Sequence, residues 1–161
     1  MAKFELPANH QQIAEFRQQH IGRLFLRAHR AFSLRSIEKL RNYGHEGLNQ
    51  AHTNLLANLD PEGTRITTLA DRIGVSKQAI GQLVPELEQK GYINRTVDPH
   101  DRRATIVNFT PAGWQFLQDA NKIKHEIEDE YTAVLGAEGL QKLRELLTTL
   151  LENQAENATE E

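Results

Sequence analysis

The stretch that decides the fold lies over residues 67–103. It opens Thr67-Thr68-Leu69-Ala70-Asp71-Arg72-Ile73-Gly74-Val75, and Ser76 then begins a second helical run that Gly91 ends. After it come Tyr92-Ile93-Asn94-Arg95-Thr96-Val97, the charged turn Asp98-Pro99-His100-Asp101-Arg102-Arg103, and Ala104-Thr105-Ile106-Val107-Asn108-Phe109. Leu69, Ala70 and Ile73 fall on one helical face, and Thr67 offers a hydroxyl to cap the first run. Gly74 can take the left-handed conformation that ends a short helix, and Ser76 caps the next one. Two short helices joined by a tight glycine turn are the helix-turn-helix unit, whose second helix enters the major groove of DNA. The β-branched and aromatic residues flanking the charged turn predict a hairpin, the wing, with two arginines side by side at its tip.

Outward from this stretch the chain is helical on both sides. Over residues 10–42, Ile13, Phe16, Ile21, Leu24, Ala28, Phe32, Ile37 and Leu40 recur at three- and four-residue steps, which predicts one long helix with a kink or break near Ser33. Asn49 caps a short helix whose Ala51, Leu55, Leu56 and Leu59 face inward, and Asp60-Pro61-Glu62-Gly63 is a turn by composition. Thr64-Arg65-Ile66 is short enough for an edge strand beside the wing. Thr110 caps a further helix with Pro111 at its first position, where the missing N–H costs nothing. That helix sets Trp114, Leu117, Ala120, Ile127, Tyr131 and Val134 on an apolar side. Gly136 and Gly139 flank a break before Leu140, Leu143, Leu146, Leu147, Leu150 and Leu151. Residues 152–161 are polar and acidic without periodicity, and are expected to be frayed or disordered.

The chain has 161 residues, 39% hydrophobic and 25% charged, which fits one domain extended by interface helices. The absence of cysteine excludes a disulfide framework, thiol redox sensing and thiolate metal sites. No apolar run reaches membrane-spanning length and Met1-Ala2-Lys3-Phe4-Glu5 carries no signal-like apolar region, so a cytoplasmic protein without a membrane partner is expected. The net charge of −3 is unevenly spread: residues 1–63 carry 8 basic and 6 acidic residues, 64–103 carry 7 and 5, and 104–161 carry 4 and 11. The acidity is therefore C-terminal, and the DNA-reading stretch is mildly basic.

The order of long helix, short helix, helix-turn-helix, Asp-Arg-Arg wing and two closing helices resembles the MarR family of bacterial winged-helix transcription regulators. Leu69-Ala70-Asp71-Arg72-Ile73-Gly74-Val75-Ser76 and Leu83-Val84-Pro85-Glu86-Leu87-Glu88-Gln89-Lys90-Gly91-Tyr92-Ile93 carry the likeness, with Asp98-Pro99-His100-Asp101-Arg102-Arg103-Ala104 and Phe109-Thr110-Pro111-Ala112-Gly113 completing it. The resemblance implies a mainly α fold with a small β wing (α+β). Residues 1–46 would be an N-terminal dimerisation region, 47–110 the winged helix-turn-helix, 111–151 the C-terminal dimerisation helices, and 152–161 the acidic tail. It also implies a homodimer on a pseudo-palindromic operator in double-stranded DNA, acting as a repressor. Two recognition helices related by a two-fold axis suit successive major grooves about 34–36 Å apart.

Ser76, Lys77, Gln78, Ala79 and Gln82 lie in the first turns of the second helix, where side chains reach base edges or phosphates. Gln78 or Gln82 can pair bidentately with adenine, and Lys77 can meet guanine or a phosphate. By family likeness, Arg102 and Arg103 contact the minor groove or the backbone and Asp101 orients an arginine. Arg95 and Arg72 are further candidates for phosphate contact by their charge and place in the chain. Where relatives often carry small hydroxyl and basic residues in this helix, Gly81 and Gln82 stand here. Pro85 inside the helix predicts a bend, its ring clash relieved by the missing Cβ of Gly81. The resemblance further implies a pocket for a small aromatic or lipophilic effector, lined by Phe16, Phe25, His52 and Trp114. No cofactor is expected. The alternatives are a winged helix that binds protein, or a metal-responsive regulator using pairs such as His45-Glu46 or His125-Glu126; no histidine pair stands at i, i+4 with a third ligand near it. No G-x-S-x-G elbow, P-loop or H-E-x-x-H points to an enzyme.

Overall fold

The computed structural model describes residues 20–159 of the chain. Helix α1 spans Ile21–Asn42, α2 Gln50–Ala57, α3 Ile66–Ile73, α4 Lys77–Gln89 and α5 Pro111–Thr159, and the strands are β1 Thr64–Arg65, β2 Ile93–Val97 and β3 Thr105–Phe109. The sheet order is β1-β3-β2, antiparallel throughout. Ile93 stands opposite Phe109 and Val97 opposite Thr105, so the hairpin closes on the charged turn, while Thr64 pairs with Val107. This is a mainly helical fold with a three-stranded wing, as the sequence predicts.

The core lies where the helix-turn-helix meets the first half of α5. Leu55, Leu56, Leu69, Ile80, Val84, Leu87, Ile93, Val107, Phe116, Ile123 and Ile127 are buried there. Their spacing is the reason the elements form: Ile80, Val84 and Leu87 repeat at helical steps on α4, and Val107 and Phe109 alternate along β3.

Capping is partly as expected. Ser76 Oγ accepts the Ala79 N–H at 3.1 Å, Asn49 Oδ1 accepts the His52 N–H at 2.9 Å, and Thr110 Oγ1 accepts the Gly113 N–H at 3.2 Å. Gly74 closes α3 in the left-handed region with φ 73°. Thr67, however, is not a cap. Helix α3 begins at Ile66 with Arg65 before it and no side-chain cap, because the chain turns directly from the β1 ladder into the helix.

Several other expectations are corrected. Helix α1 is continuous through Ser33, and Ser36 Oγ bonds back to the Phe32 carbonyl without interrupting it. The part of that helix predicted before residue 20, with Ile13 and Phe16, lies outside the described residues. On α2 the inward stripe is His52, Leu55 and Leu56, and Ala51 is exposed, being one residue off that face. On α5 the buried line is Gly113, Phe116, Ile123 and Ile127, whereas Trp114, Tyr131 and Val134 are exposed. Gly136, at φ 72° and ψ 161°, breaks α5 where a break is predicted. Helix nevertheless continues to Thr159, through the stretch expected to be disordered. Glu152, Gln154, Ala155 and Glu156 favour helix and no glycine or proline stops it.

Candidate nucleic-acid interface

Helix α4 is anchored on one side and open on the other. Ile80, Val84 and Leu87 point into the core, while Ser76, Lys77, Gln78, Gly81, Gln82 and Pro85 are exposed and Ala79 is half-buried. The open face therefore carries two glutamines one helical turn apart, with a single lysine at the start of the helix. Helix α4 runs unbroken through Pro85. A Cβ built on Gly81 would have nothing within 4 Å, so the missing Cβ is not what accommodates the proline ring. Side chains on a helix lean toward its N-terminus, which carries the Gly81 position away from Pro85.

His52 holds this helix from behind. Its Nδ1 accepts the Asn49 N–H at 3.3 Å, and its Nε2 meets Glu86 Oε2 at 2.9 Å. The imidazole thus completes the cap of α2 and ties α2 to α4, and its ring is buried. It joins α2 to α4 and does not line the cavity between α1, α2 and α5.

The wing is built on Asp98. One carboxylate oxygen accepts the His100 N–H at 2.7 Å and the Asp101 N–H at 3.3 Å. The other accepts Arg65 from β1, at 2.6 Å to Nε and 2.5 Å to Nη2. The His100 N–H, followed by Arg65, holds the Asp98 carboxyl below the usual carboxylate range against the opposing effect of desolvation. An Asp at the head of Asp-Pro-His-Asp is the local signal for such a turn, since its side chain can bond the backbone two residues on. The partner Arg65 had no signal in the sequence, being 33 residues away.

At the tip, Asp101 Oδ1 accepts the Arg103 N–H at 3.1 Å and lies 3.5 Å from Arg103 Nε. The Arg103 side chain is 94% exposed. Arg102 is exposed and makes no ion pair among the described residues. Arg95 is held instead by Glu88 at 2.5 Å, and Arg72 by Asp60 at 2.8 Å and the Asn58 carbonyl at 3.1 Å. Both acids are pulled down by their arginines. Of the four arginines, Arg102 and Arg103 are thus the ones the fold leaves presented at the tip, while Arg95 and Arg72 brace α4 to β2 and α3 to the preceding turn.

A cavity of about 170 Å³ opens between α1, α2 and α5. Phe32, Leu40, Phe116 and Ile123 give it apolar walls, and Ser33, Ser36, His29 and Lys124 add polar groups. Ser33 Oγ is buried there without a hydrogen-bond partner among the described residues. Three of the residues expected in an effector pocket do not line it. Phe25 is 42% exposed on the far part of α1, His52 turns to Glu86, and Trp114 packs on Phe109 at 5.2 Å between ring centroids. The fourth, Phe16, lies outside the described residues. The cavity forms where α5 leaves the winged helix, and periodicity alone does not show which aromatics meet there. Among the described residues no group of histidines and carboxylates could hold a metal ion, and no helix is long and apolar enough to cross a membrane.

Comparison with known proteins agrees with this geometry. Residues 46–104 match the model of the MarR family. The chain is 26% identical over 108 residues to YdgJ, an uncharacterised HTH-type transcriptional regulator of Bacillus subtilis (strain 168), a match that spans 66% of each protein. Among solved structures it resembles the transcriptional regulator Tm0710 of Thermotoga maritima, at 25% identity and a TM-score of 0.63 over 88% of this chain and 98% of that one. It also shares the fold of a mutant MarR of E. coli in complex with operator DNA, at 21% identity and a TM-score of 0.69 over 84% and 97% of the two chains.

Proposed function

We propose, for a chain that belongs to the MarR family of transcription regulators through the winged helix-turn-helix of residues 46–104, that it binds a pseudo-palindromic operator as a homodimer and represses by occluding it. The observation that carries this reading is the division of labour on one exposed surface. Helix α4 offers Gln78 and Gln82 without competing ion pairs, and the wing offers Arg102 and Arg103 on a tip fastened by Asp98. Amide side chains one turn apart suit base edges, and exposed guanidinium groups suit phosphates or the minor groove.

Dimerisation is supported by apolar surface that one copy leaves uncovered. Leu143, Leu146, Leu147, Leu150 and Leu151 beyond Gly136 are exposed, as are Ile21, Leu24, Phe25 and Leu26 on α1. Two ribs of leucine and isoleucine at the two ends of one chain are a surface for a second copy. On this reading residues 1–46 and 111–151 form the dimer, and residues 47–110 read DNA. The cavity between α1, α2 and α5 touches both parts. Its apolar walls, its unpaired serine hydroxyl and Lys124 suit a small aromatic or lipophilic acid, whose binding would shift the spacing of the two reading heads.

The test is selection of bound duplexes from a random pool by the full-length protein, followed by titration across salt. A two-fold-related sequence with a steep salt slope is the expected result. Retention that ignores sequence, and that survives replacement of both Arg102 and Arg103 by Ala, would sink the reading in favour of a protein-binding winged helix.

A further inference from the structure

A buried polar chain joins the winged helix to α5. His45 lies in the turn after α1, 6% exposed, with its N–H bonded to the Leu40 carbonyl at 3.0 Å. Its Nδ1 is 3.0 Å from Tyr92 Oη, and its Nε2 is 3.3 Å from Asp119 Oδ2 on α5. Phe116 stands edge-on to both rings, at 5.5 Å from His45 and 6.1 Å from Tyr92, and also walls the cavity. Tyr92 occupies the seam of the reading head. Its N–H bonds the Leu87 carbonyl of α4 at 3.0 Å, and its carbonyl accepts the Thr110 N–H at the start of α5 at 3.1 Å.

We propose that His45 is a positioning residue for DNA reading: uncharged, it ties Tyr92 at the end of the reading helix to Asp119 of α5, and protonation undoes the Tyr92 side of that tie and weakens operator binding. In the neutral ring, Nε2–H donates to Asp119 and Nδ1 accepts the Tyr92 O–H, so every polar atom of the chain is satisfied. A proton added at Nδ1 makes that nitrogen a donor. Tyr92 Oη must then accept, and its own proton turns into a site where, among the described residues, it has no second partner. A buried donor without an acceptor drives the ring to move, and Tyr92 cannot move without shifting the end of α4.

The charged and titratable groups around His45 are few. From α5 there is Asp119, itself bonded by Gln115 at 2.9 Å and Lys122 at 3.0 Å. Those two bonds, Gln115 first, hold Asp119 below the usual carboxylate range. From the seam there is Tyr92. In the turn itself Tyr43 and Glu46 are exposed, and a Cβ built on Gly47 would lie 3.3 Å from Lys90 Nζ. None of these supplies a second acceptor for the Tyr92 hydroxyl.

This proposal rests on the DNA-reading function above, and its test separates the two. His45→Gln keeps both bonds without titrating, its amide oxygen accepting from Tyr92 and its NH2 donating to Asp119. Tyr92→Phe removes the tie at every pH, so His45 can no longer act on the end of α4 through it. Operator affinity and Trp114 emission would be followed from pH 8 to pH 5.5 in full-length wild type and both variants. Trp114 is the sole tryptophan and sits next to Gly113, which packs on the Tyr92 carbonyl, so it reports on the joint without DNA. The wild type should lose affinity by about tenfold relative to His45→Gln across that range, with a matching titration of emission absent from both variants. Superimposable affinity and emission profiles in all three proteins would overturn the proposal. An emission titration specific to the wild type, in a protein that selects no operator, would leave the joint standing and sink the DNA-reading function. Should His45→Gln fail to fold by circular dichroism, Tyr92→Phe carries the same comparison.

Discussion

Arg65 grips a single oxygen of Asp98, with Nε at 2.6 Å and Nη2 at 2.5 Å, while the other oxygen gathers the backbone of the wing tip. The pair links the edge strand to the turn that presents Arg102 and Arg103. Asp98→Ala removes all of these bonds at once, and the tip should lose its fixed conformation while the helical core stays folded. Operator affinity is expected to fall about as far as in the double Arg102→Ala, Arg103→Ala variant, with the far-ultraviolet spectrum unchanged. Full affinity in Asp98→Ala would mean that the wing does not contribute through its tip. Because the folded carboxyl lies below its ordinary 3.8, the contribution of Asp98 is complete above that value and is lost as pH falls through the folded one.

The wing and the reading helix should separate in salt titrations. Arg102→Ala removes, from each of the two wings, a cation that no carboxylate holds among the described residues, so the slope of log affinity against log salt should become shallower by about 2. Gln82→Ala removes no charge. It should leave the slope intact and relax the preference for one base pair in each half-site, read from competition with singly substituted operators. Equal effects of the two variants on slope would contradict the assignment of phosphates to the wing and bases to α4.

Much of this surface is legible in sequence. The Gly74 turn, the Ser76 cap, the two wing strands and the break at Gly136 all follow from local chemistry, each set by a residue and its immediate neighbours. What the sequence hides are partners fixed by tertiary packing. Arg65 with Asp98, His52 with Glu86, and His45 with Tyr92 and Asp119 are 33 to 74 residues apart, and nothing in periodicity pairs them. Trp114 and Val134 mislead for a related reason. The apolar face of α5 is wider than the winged helix can cover, so the stripe actually buried is displaced toward Phe116 and Ile123.

Two glycines should respond to alanine in opposite directions. A Cβ on Gly113 would come 2.1 Å from the Tyr92 carbonyl oxygen and 2.8 Å from Phe109 Cδ1, so the start of α5 must lift off the sheet. Gly113→Ala is expected to destabilise by about 3 kcal/mol in urea unfolding, at the upper end of overpacking costs. Gly81 lies exposed within α4 with nothing near its missing Cβ, and Gly81→Ala should stabilise by about 0.5–1 kcal/mol. If the open face of α4 lies against bases, the same substitution lowers operator affinity, and the opposed changes in stability and binding are the signature to look for.

Acid should loosen α1 from α5. Glu130 bonds Arg35 at 2.7 Å and Lys39 at 3.0 Å, and these bonds, that to Arg35 first, hold its carboxyl down at about 2. The folded value lies below the ordinary 4.5, so the stabilisation is present above that pH and is lost as pH falls toward 2. Both side chains of the Arg35 pair are about two-fifths exposed, so salt should screen part of the effect. Glu130→Gln should lower stability at pH 7 and flatten the loss of stability between pH 4.5 and pH 2, measured by urea unfolding at each pH. A variant as acid-sensitive as the wild type over that window would show that Glu130 is not the group responsible.

The leucines beyond Gly136 give the last prediction. Leu146 and Leu150 stand one turn apart, both about half exposed in a single copy, with Leu143, Leu147 and Leu151 beside them. Burying a leucine fully is worth about 1.5–3 kcal/mol, so a two-fold interface that covers several from each chain supplies enough to hold a dimer at micromolar concentration. Leu146→Glu with Leu150→Glu places two charges on each side of that interface. Sedimentation should show a dimer for the wild type and a monomer for the variant, with the winged helix still folded and operator affinity reduced by far more than tenfold, because one reading head engages only one half-site. A variant that stays dimeric would place the subunit contact elsewhere on the chain, and a monomer that binds the full operator as tightly as the wild type would show that the two heads are not used together.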